Sequence, residues 1–359
     1  MAHARSDHDL ARPLPPADLA DLAPLAEHEG SFFTVLLPAP SRQADAAHRF
    51  EIAWKNARRE LLDPESAHWD EDDLRWVDEL VSTIPHHAGE AFVVVHADGG
   101  PTHVEVLDEP VHDTAVTVGA FPRLAPLIES RQRVVSHLVV ETDRTGADVT
   151  AFDGGAVIGH DTVSGDTEHI HRGHSGGWSQ RRFQQRAENT WERNAGEVAD
   201  AVVAMAERVA PSLVFVSGEV RAKSLVVESL PSSLDAEVVA LEAGDDAGIA
   251  DEVVRLIADH VATGLRVWSG RLSDALADED AVADVDETLD ALVEGRVATL
   301  LVHDDRDRAV STQREVAGHG AGVRVVDLAV VLALRSGADV VAVPRLAAMD
   351  GPLAALLRW

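Results

Sequence analysis

Residues 168–209 read EHIHRGHSGGWSQRRFQQRAENTWERNAGEVADAVVAMAERV. Apolar or small side chains at Phe183, Ala187, Trp191, Ala195, Val198, Val202, Met205 and Val209 recur at spacings of three and four, which predicts one long amphipathic helix with a single buried face. At about 100° per residue, Arg182, Arg186 and Arg193 share a stripe roughly 60–100° from Phe183. Three guanidiniums on one flank suit phosphate, while the same pattern also fits a solvated face neutralised by Glu188, Glu192 and Glu197. In the loop ahead of the helix, Gly173, Gly176 and Gly177 permit positive φ and close backbone approach, and no helical period buries Trp178 at the loop tip. A Gly-Gly-Trp tip suits stacking on a splayed base; its alternative is a tight turn whose indole folds back on its own domain.

Upstream, residues 136–163 (SHLVVETDRTGADVTAFDGGAVIGHDTV) alternate like paired strands, with turns at Thr145 with Gly146 and at Gly154 with Gly155. Downstream, SLVFVSG at 212–218 reads as a strand, so the helix belongs to a middle α/β domain spanning about 133–243. Before it, residues 1–132 read as a helix near 18–28, a strand SFFTVLLP at 31–38, helices at 46–62 and 72–83, and strands at 91–96 and 102–107. The tail before Pro13 is expected to be disordered. After it, residues 244–359 read as a helix from Gly248, a further helix, strands at 297–305 (VATLLVHDD) and 323–327 (VRVVD), another helix, and a strand at 338–344 (ADVVAVP). The expectation is an α/β protein of three domains, each a mixed sheet covered by helices. No internal repeat is visible.

A chain of 359 residues, 45% of them apolar, exceeds what one core usually supports, which also points to two or three domains. No window approaches the roughly eighteen apolar residues of a membrane span, and MAHARSDHDL lacks the apolar stretch of a signal peptide, so a soluble, cytoplasmic protein without a membrane partner is expected. The lack of cysteine excludes disulfides, thiolate nucleophiles and cysteine metal clusters. A formal charge of −31 argues against a broad nucleic-acid footprint, but the distribution is uneven. Residues 1–130 carry 9 basic against 24 acidic side chains, whereas 171–193 carry 5 arginines against Glu188 and Glu192. Lys55 and Lys223 are the only lysines, a bias that a GC-rich genome also produces.

The segment Gly176-Gly177-Trp178-Ser179-Gln180-Arg181-Arg182-Phe183 resembles the middle domain of the class-I archaeal and eukaryotic release-factor and pelota superfamily, where a Gly-Gly-Gln loop precedes Ser-x-x-Arg-Phe. Every fixed position matches except the glutamine, which is Trp178 here. Residues 212–231 (SLVFVSGEVRAKSLVVESLP) are similar to the strand and helix that follow in that domain. EGRVATLLVHDD at 294–305, the run at 327–344 and the ending DGPLAALLRW are similar to the C-terminal domain of the same superfamily. The resemblance covers roughly 133–359, and the first block only by position and size. It is greatest to the bacterial release-factor-like branch, the Balon-type ribosome hibernation factors.

What the resemblance implies is three domains arranged as in class-I release factors and pelota, and a ribosome-associated factor that occupies the A site in hibernation or stalled-ribosome protection. Its partners are then rRNA, the peptidyl-transferase centre and a translational GTPase docked on the C-terminal domain, the chain being monomeric off the ribosome. The RNA-binding residues so implied are His174, Gly176, Gly177, Trp178, Ser179, Arg181, Arg182, Arg186 and Arg193. Stop-codon decoding is not expected, because the Asn-Ile-Lys-Ser loop is missing and the Tyr-x-Cys-x-x-x-Phe element has neither its tyrosine nor its cysteine.

Ester hydrolysis needs a small polar group to seat a water, and Trp178 is bulky with one side-chain donor. A second register aligns Gly176-Gly177-Trp178-Ser179-Gln180 with the Gly-Ser-x-x-Gln pattern of release-factor-like peptidyl-tRNA hydrolases, with Gly177 in the serine's place; there Gln180 is the catalytic residue. A third reading is a protein-binding scaffold acting through the C-terminal domain. His169, His171 and His174 are too loosely spaced for a metal site, and Asp304, Asp305 and Asp307 after a strand read as a solvated acidic loop, so no metal and no cofactor are expected. No Gly-x-x-x-x-Gly-Lys-Ser/Thr motif occurs, so nucleotide hydrolysis is not expected.

Overall fold

A computed structural model describes residues 12–38, 46–63, 69–83, 91–107, 111, 113–165, 178–305 and 310–359, with side chains described from residue 48 in the second range, to residue 82 in the third and from residue 188 in the long helix. The tail before Arg12 lies outside the described residues. The chain forms two compact units, one of residues 1–133 with 261–359, the other of 134–260. The architecture of the described residues is mixed α/β with three sheets.

In the first unit, strand β1 (Phe32–Pro38) is apolar along almost its whole length because both of its faces are covered. It lies between antiparallel neighbours β2 (Ala91–Ala97) and β4 (Ala115–Gly119), with β3 (Thr102–Leu107) beyond β2, in the order β3-β2-β1-β4. Period-two alternation sends Phe33, Val35 and Leu37 to one core with helices α2 (Ala46–Leu61) and α3 (Glu71–Thr83), while Phe32 and Leu36 enter the other. Helix α2 meets the first core through Phe50, Trp54, Ala57 and Leu61, spaced by three and four. Asp70 caps α3 by accepting from the backbone N–H groups of Asp72 and Asp73 at 2.8 and 3.0 Å, while Asp73 accepts from the Asp70 N–H at 2.7 Å, a reciprocal capping box.

The helix expected near 18–28 is a short 3-10 turn followed by α1 (Ala23–Glu27). With α4 (Ala125–Arg133) and α9 (Val325–Ser336), α1 contributes to the second core, which continues into the C-terminal sheet. That sheet has the order β10-β13-β11-β12, with β11 (Val297–Val302) parallel to β12 (Asp339–Ala342) and antiparallel to β13 (Leu353–Leu357), and the short β10 (Ala281–Val282) at the edge. Helix α8 (Val285–Val293) is capped by Asp284.

The strand expected at 323–327 is not formed: α9 starts at Val325, after Arg324 in extended conformation, and ends on Gly337 in the left-handed region at φ 65°. Residues 325–333 are buried all round, so the helix carries no polar stripe and its β-branched opening imitates a strand.

The second unit holds β5 (His137–Thr142), β6 (Gly146–Asp153) and β7 (Ala156–Ser164) as an antiparallel meander, extended by β8 (Leu213–Gly218) and β9 (Glu237–Ala240) in parallel, in the order β7-β6-β5-β8-β9. Both expected turns are present. Helices α5 (Trp178–Val209) and α6 (Val220–Ser229) cover one face, and α7 (Asp246–Ala277) begins within this unit. Among the described residues, no helix is long and apolar enough to cross a membrane.

Candidate functional site

The site read from the sequence is organised by α5, whose described backbone is helical from Trp178 to Val209. The lower part of its apolar stripe is seated as the spacing predicts: Trp191, Ala195, Val198, Val202 and Met205 are buried against Leu138, Val140, Val149 and Ala151 of the sheet. Two polar residues join this face. Asn194, 2% exposed, donates from Nδ2 to the Arg144 carbonyl at 3.0 Å, tying the helix to the β5–β6 turn. Thr190 is buried beside it.

That turn is itself fixed locally, because Asp143 accepts from the backbone N–H groups of Thr145 and Gly146 at 2.6 and 3.0 Å. Arg144 then places its guanidinium 4.9 Å above the Trp191 ring and pairs through Nε and Nη2 with both carboxylate oxygens of Glu219, the N-cap residue of α6. The Trp191 indole N–H is buried and has no hydrogen-bond partner among the described residues. Gly218 permits the tight exit from β8: its φ is +118°, and a Cβ there would sit 1.8 Å from the Thr142 carbonyl oxygen. Sequence reasoning placed Trp191 on the buried stripe but missed Arg144 and Glu219, which lie 47 and 28 residues from it and signal nothing by spacing.

His174, Gly176 and Gly177 lie outside the described residues, as do His169 and His171. Trp178, Ser179, Gln180, Arg181, Arg182 and Arg186 fall within α5, in its first three turns, with side chains outside the described residues. Gln180 is thus carried on helical backbone in the first turn, where N–H groups lack intrahelical acceptors. Arg193 is exposed and stands 4.0 Å from Glu197 one turn on. An exposed pair of this kind is worth little and leaves the guanidinium able to exchange partners.

Of the candidate acidic loop after β11, Asp305 is exposed as expected and Asp307 lies outside the described residues, but Asp304 has a different role in the first unit. Asp304, with a side chain 8% exposed, accepts from Arg123 Nε and Nη2 at 3.1 and 2.9 Å and from Arg324 Nη2 at 2.8 Å. It is neither solvated nor open to a metal, because two guanidiniums occupy both oxygens. Arg324 Nε also stands 2.9 Å from Asp327 Oδ2, although the N–H is not aligned for a hydrogen bond, and Asp327 Oδ1 has no hydrogen-bond partner among the described residues. Burial pushes the Asp327 carboxyl up to about 7, with Arg324 pulling it down, Asp304 pushing it up and Arg123 pulling it down.

A carboxyl raised in the folded state binds its proton more tightly there than in the unfolded chain. Its contribution to stability is therefore greatest below its unfolded value and fades as pH rises towards about 7. Asp327→Asn is expected to flatten the fall in melting temperature between about pH 4 and 7 relative to the parent protein. Parallel pH slopes for the two proteins would show that Asp327 ionises normally.

One cluster among the described residues has metal-like spacing: Asp21, His103 and Glu105. Arg131 occupies it, bridging Asp21 at 2.6 and 2.7 Å and Glu105 at 2.6 Å, so its chemistry is that of an ion-pair node.

The uncharacterized protein Rv2629 of Mycobacterium tuberculosis, and its counterpart MT2704 from a second strain, are each 29% identical over 230 residues, 64% of this chain. The alignment spans 60% of the length of these relatives. Solved structures that align along most of the chain include Archaeoglobus fulgidus Pelota, at 16% identity, covering 96% of this chain and 93% of that one with a TM-score of 0.37. A model of ribosome-bound archaeal Pelota and ABCE1 aligns at 16% identity, over 96% and 95%, with a TM-score of 0.39. Residues 136–279, which take in β5 through α7, match the model of Bacterial archaeo-eukaryotic release factor family 2, and this stretch of the chain is release-factor-like by that match.

Proposed function

We propose that the protein is a ribosome-associated factor that occupies the A site, in hibernation or protection of stalled ribosomes, without decoding stop codons and without hydrolysing peptidyl-tRNA. The observation that carries the reading is the release-factor match over 136–279 combined with Trp178 at the position of the family's catalytic glutamine. A factor that keeps the architecture around the loop while losing the water-seating amide is suited to filling the site. The seated lower half of α5, clamped through Trp191 and Asn194, supports it by giving the N-terminal turns a rigid base. Delivery by a translational GTPase through the C-terminal domain is part of the same proposal, resting on the resemblance of residues 294–359.

The arginine stripe provides the test. With Arg182, Arg186 and Arg193 all changed to Glu, co-sedimentation with ribosomes is expected to weaken strongly at low salt, and the difference from the parent protein is expected to shrink as salt rises. Equal pelleting of the two proteins at low salt would reduce the stripe to a solvated helix face.

A further inference from the structure

The first 130 residues are strongly acidic, yet four of their nine basic side chains, Arg49, Lys55, Arg58 and Arg59, fall on the single helix α2. Their placement follows from the burial of the opposite face. Phe50, Trp54, Ala57 and Leu61 anchor α2 in the core, and at about 100° per residue His48, Arg49, Ile52, Lys55, Asn56 and Arg59 are left on a contiguous outward stripe. All six are exposed, and Ile52 is 44% exposed among them. Glu51 and Glu60 flank this stripe and do not interrupt it.

The C-terminal half of the stripe borders an open, shallow pocket lined by Lys55, Arg58, Arg59, Leu62 and Asp63. Its inner wall is built: Asp78 on α3 accepts from the Trp54 indole N–H at 2.7 Å and from Arg58 Nε at 3.3 Å, which holds the Arg58 guanidinium at the pocket edge. Arg59 Nη1 donates to Asn56 Oδ1 at 3.4 Å, one turn back on the same exposed face. A concavity with two arginines and one of the chain's two lysines, on an acidic surface, is a local counter-charge for a polyanion.

We propose that this α2 face, through Lys55, Arg58 and Arg59, docks on the phosphate backbone of RNA. The proposal rests on the ribosomal reading above for the identity of that RNA as rRNA, and it deepens that reading by assigning a second contact on the unit that does not carry the loop. The acidic remainder of the unit, Glu71, Asp72 and Glu79 of the adjacent α3 included, restricts the contact to this face and repels phosphate elsewhere.

The test uses the full chain with Lys55→Glu and Arg59→Glu together, both exposed side chains outside the core, and a Lys55→Gln, Arg59→Gln pair as a milder control. Binding is measured to intact ribosomes and to a protein-free small-subunit rRNA transcript across a salt series. The charge-reversed protein is expected to bind both probes roughly ten- to a hundredfold more weakly at about 50 mM salt, with a salt slope shallower by roughly one to two and the glutamine pair intermediate. If the parent protein binds the transcript but not ribosomes, the ribosomal reading fails while the RNA-docking face stands on its transcript data. Unchanged affinity and slope for the transcript would overturn the proposal. Loss of ribosome binding with transcript binding intact would also overturn it, assigning the face to an acidic protein.

Discussion

Asp304→Ala is expected to destabilise the first unit more than any single change to an exposed charge. Arg123 is 5% exposed and its guanidinium donates to Asp304 through both Nε and Nη2, so the truncation leaves a guanidinium buried without its counter-charge. Breaking one partner of a buried pair costs about 3–5 kcal/mol. In a unit of this size that corresponds to a fall of roughly 6–20 °C in melting temperature. The contact also joins residues 181 apart in the chain, so its loss loosens the link between the β4–α4 connection and the end of β11. Adding Arg123→Met to Asp304→Ala is expected to recover part of the loss, because the unpaired cation goes with it. A melting temperature within about 2 °C of the parent for Asp304→Ala alone would mean that water reaches Arg123 and that the network is not buried in solution.

Trp178→Ala is expected to lower affinity for ribosomes about five- to a hundredfold while leaving the fold intact. Stacking of an aromatic ring on a base is worth roughly 1–3 kcal/mol, and each 1.4 kcal/mol is about a factor of ten. Trp178 is the first residue of α5, and the described anchors of that helix, from Thr190 to Met205, lie at least three turns further along it. Phenylalanine at this position is expected to retain most of the affinity, since it keeps a π-face. If alanine binds as well as tryptophan, the stacking account of the loop is wrong.

Much of the scaffold was legible because it is written in local periodicity. The two-faced burial of β1 appears as the unbroken FFTVLL, and the three-and-four spacing of α5 put Trp191, Ala195, Val198, Val202 and Met205 on the face that the sheet covers. Periodicity failed at 323–327, because α9 is enclosed on every side and its Val-Val opening has no polar residue to set a helical phase other than Asp327, itself buried. The charge networks were not legible at all. Asp304 looked like a member of a solvated acidic loop, and only the tertiary approach of Arg123 and Arg324 turns it into the centre of a buried node. Arg144 reads as a turn residue until Trp191 and Glu219 are brought to it. The α2 stripe was present in the sequence as Lys55, Arg58 and Arg59, but the −31 net charge masked it until the burial of the opposite face showed which way it points.

Within the Gly-Gly-Gln segment the chain departs from the release-factor pattern at Trp178, and under the proposed ribosomal role this loop decides between filling the A site and cleaving the ester there. The most direct measurement is peptide release from a purified stalled ribosome carrying peptidyl-tRNA, with the parent protein in excess and Gln180→Ala beside it. Occupation without hydrolysis predicts that both proteins co-sediment with the complex and that peptidyl-tRNA stays intact at the rate of the protein-free control. Release in multiple turnovers by the parent protein, lost in Gln180→Ala while binding persists, would contradict it and make the protein a hydrolase.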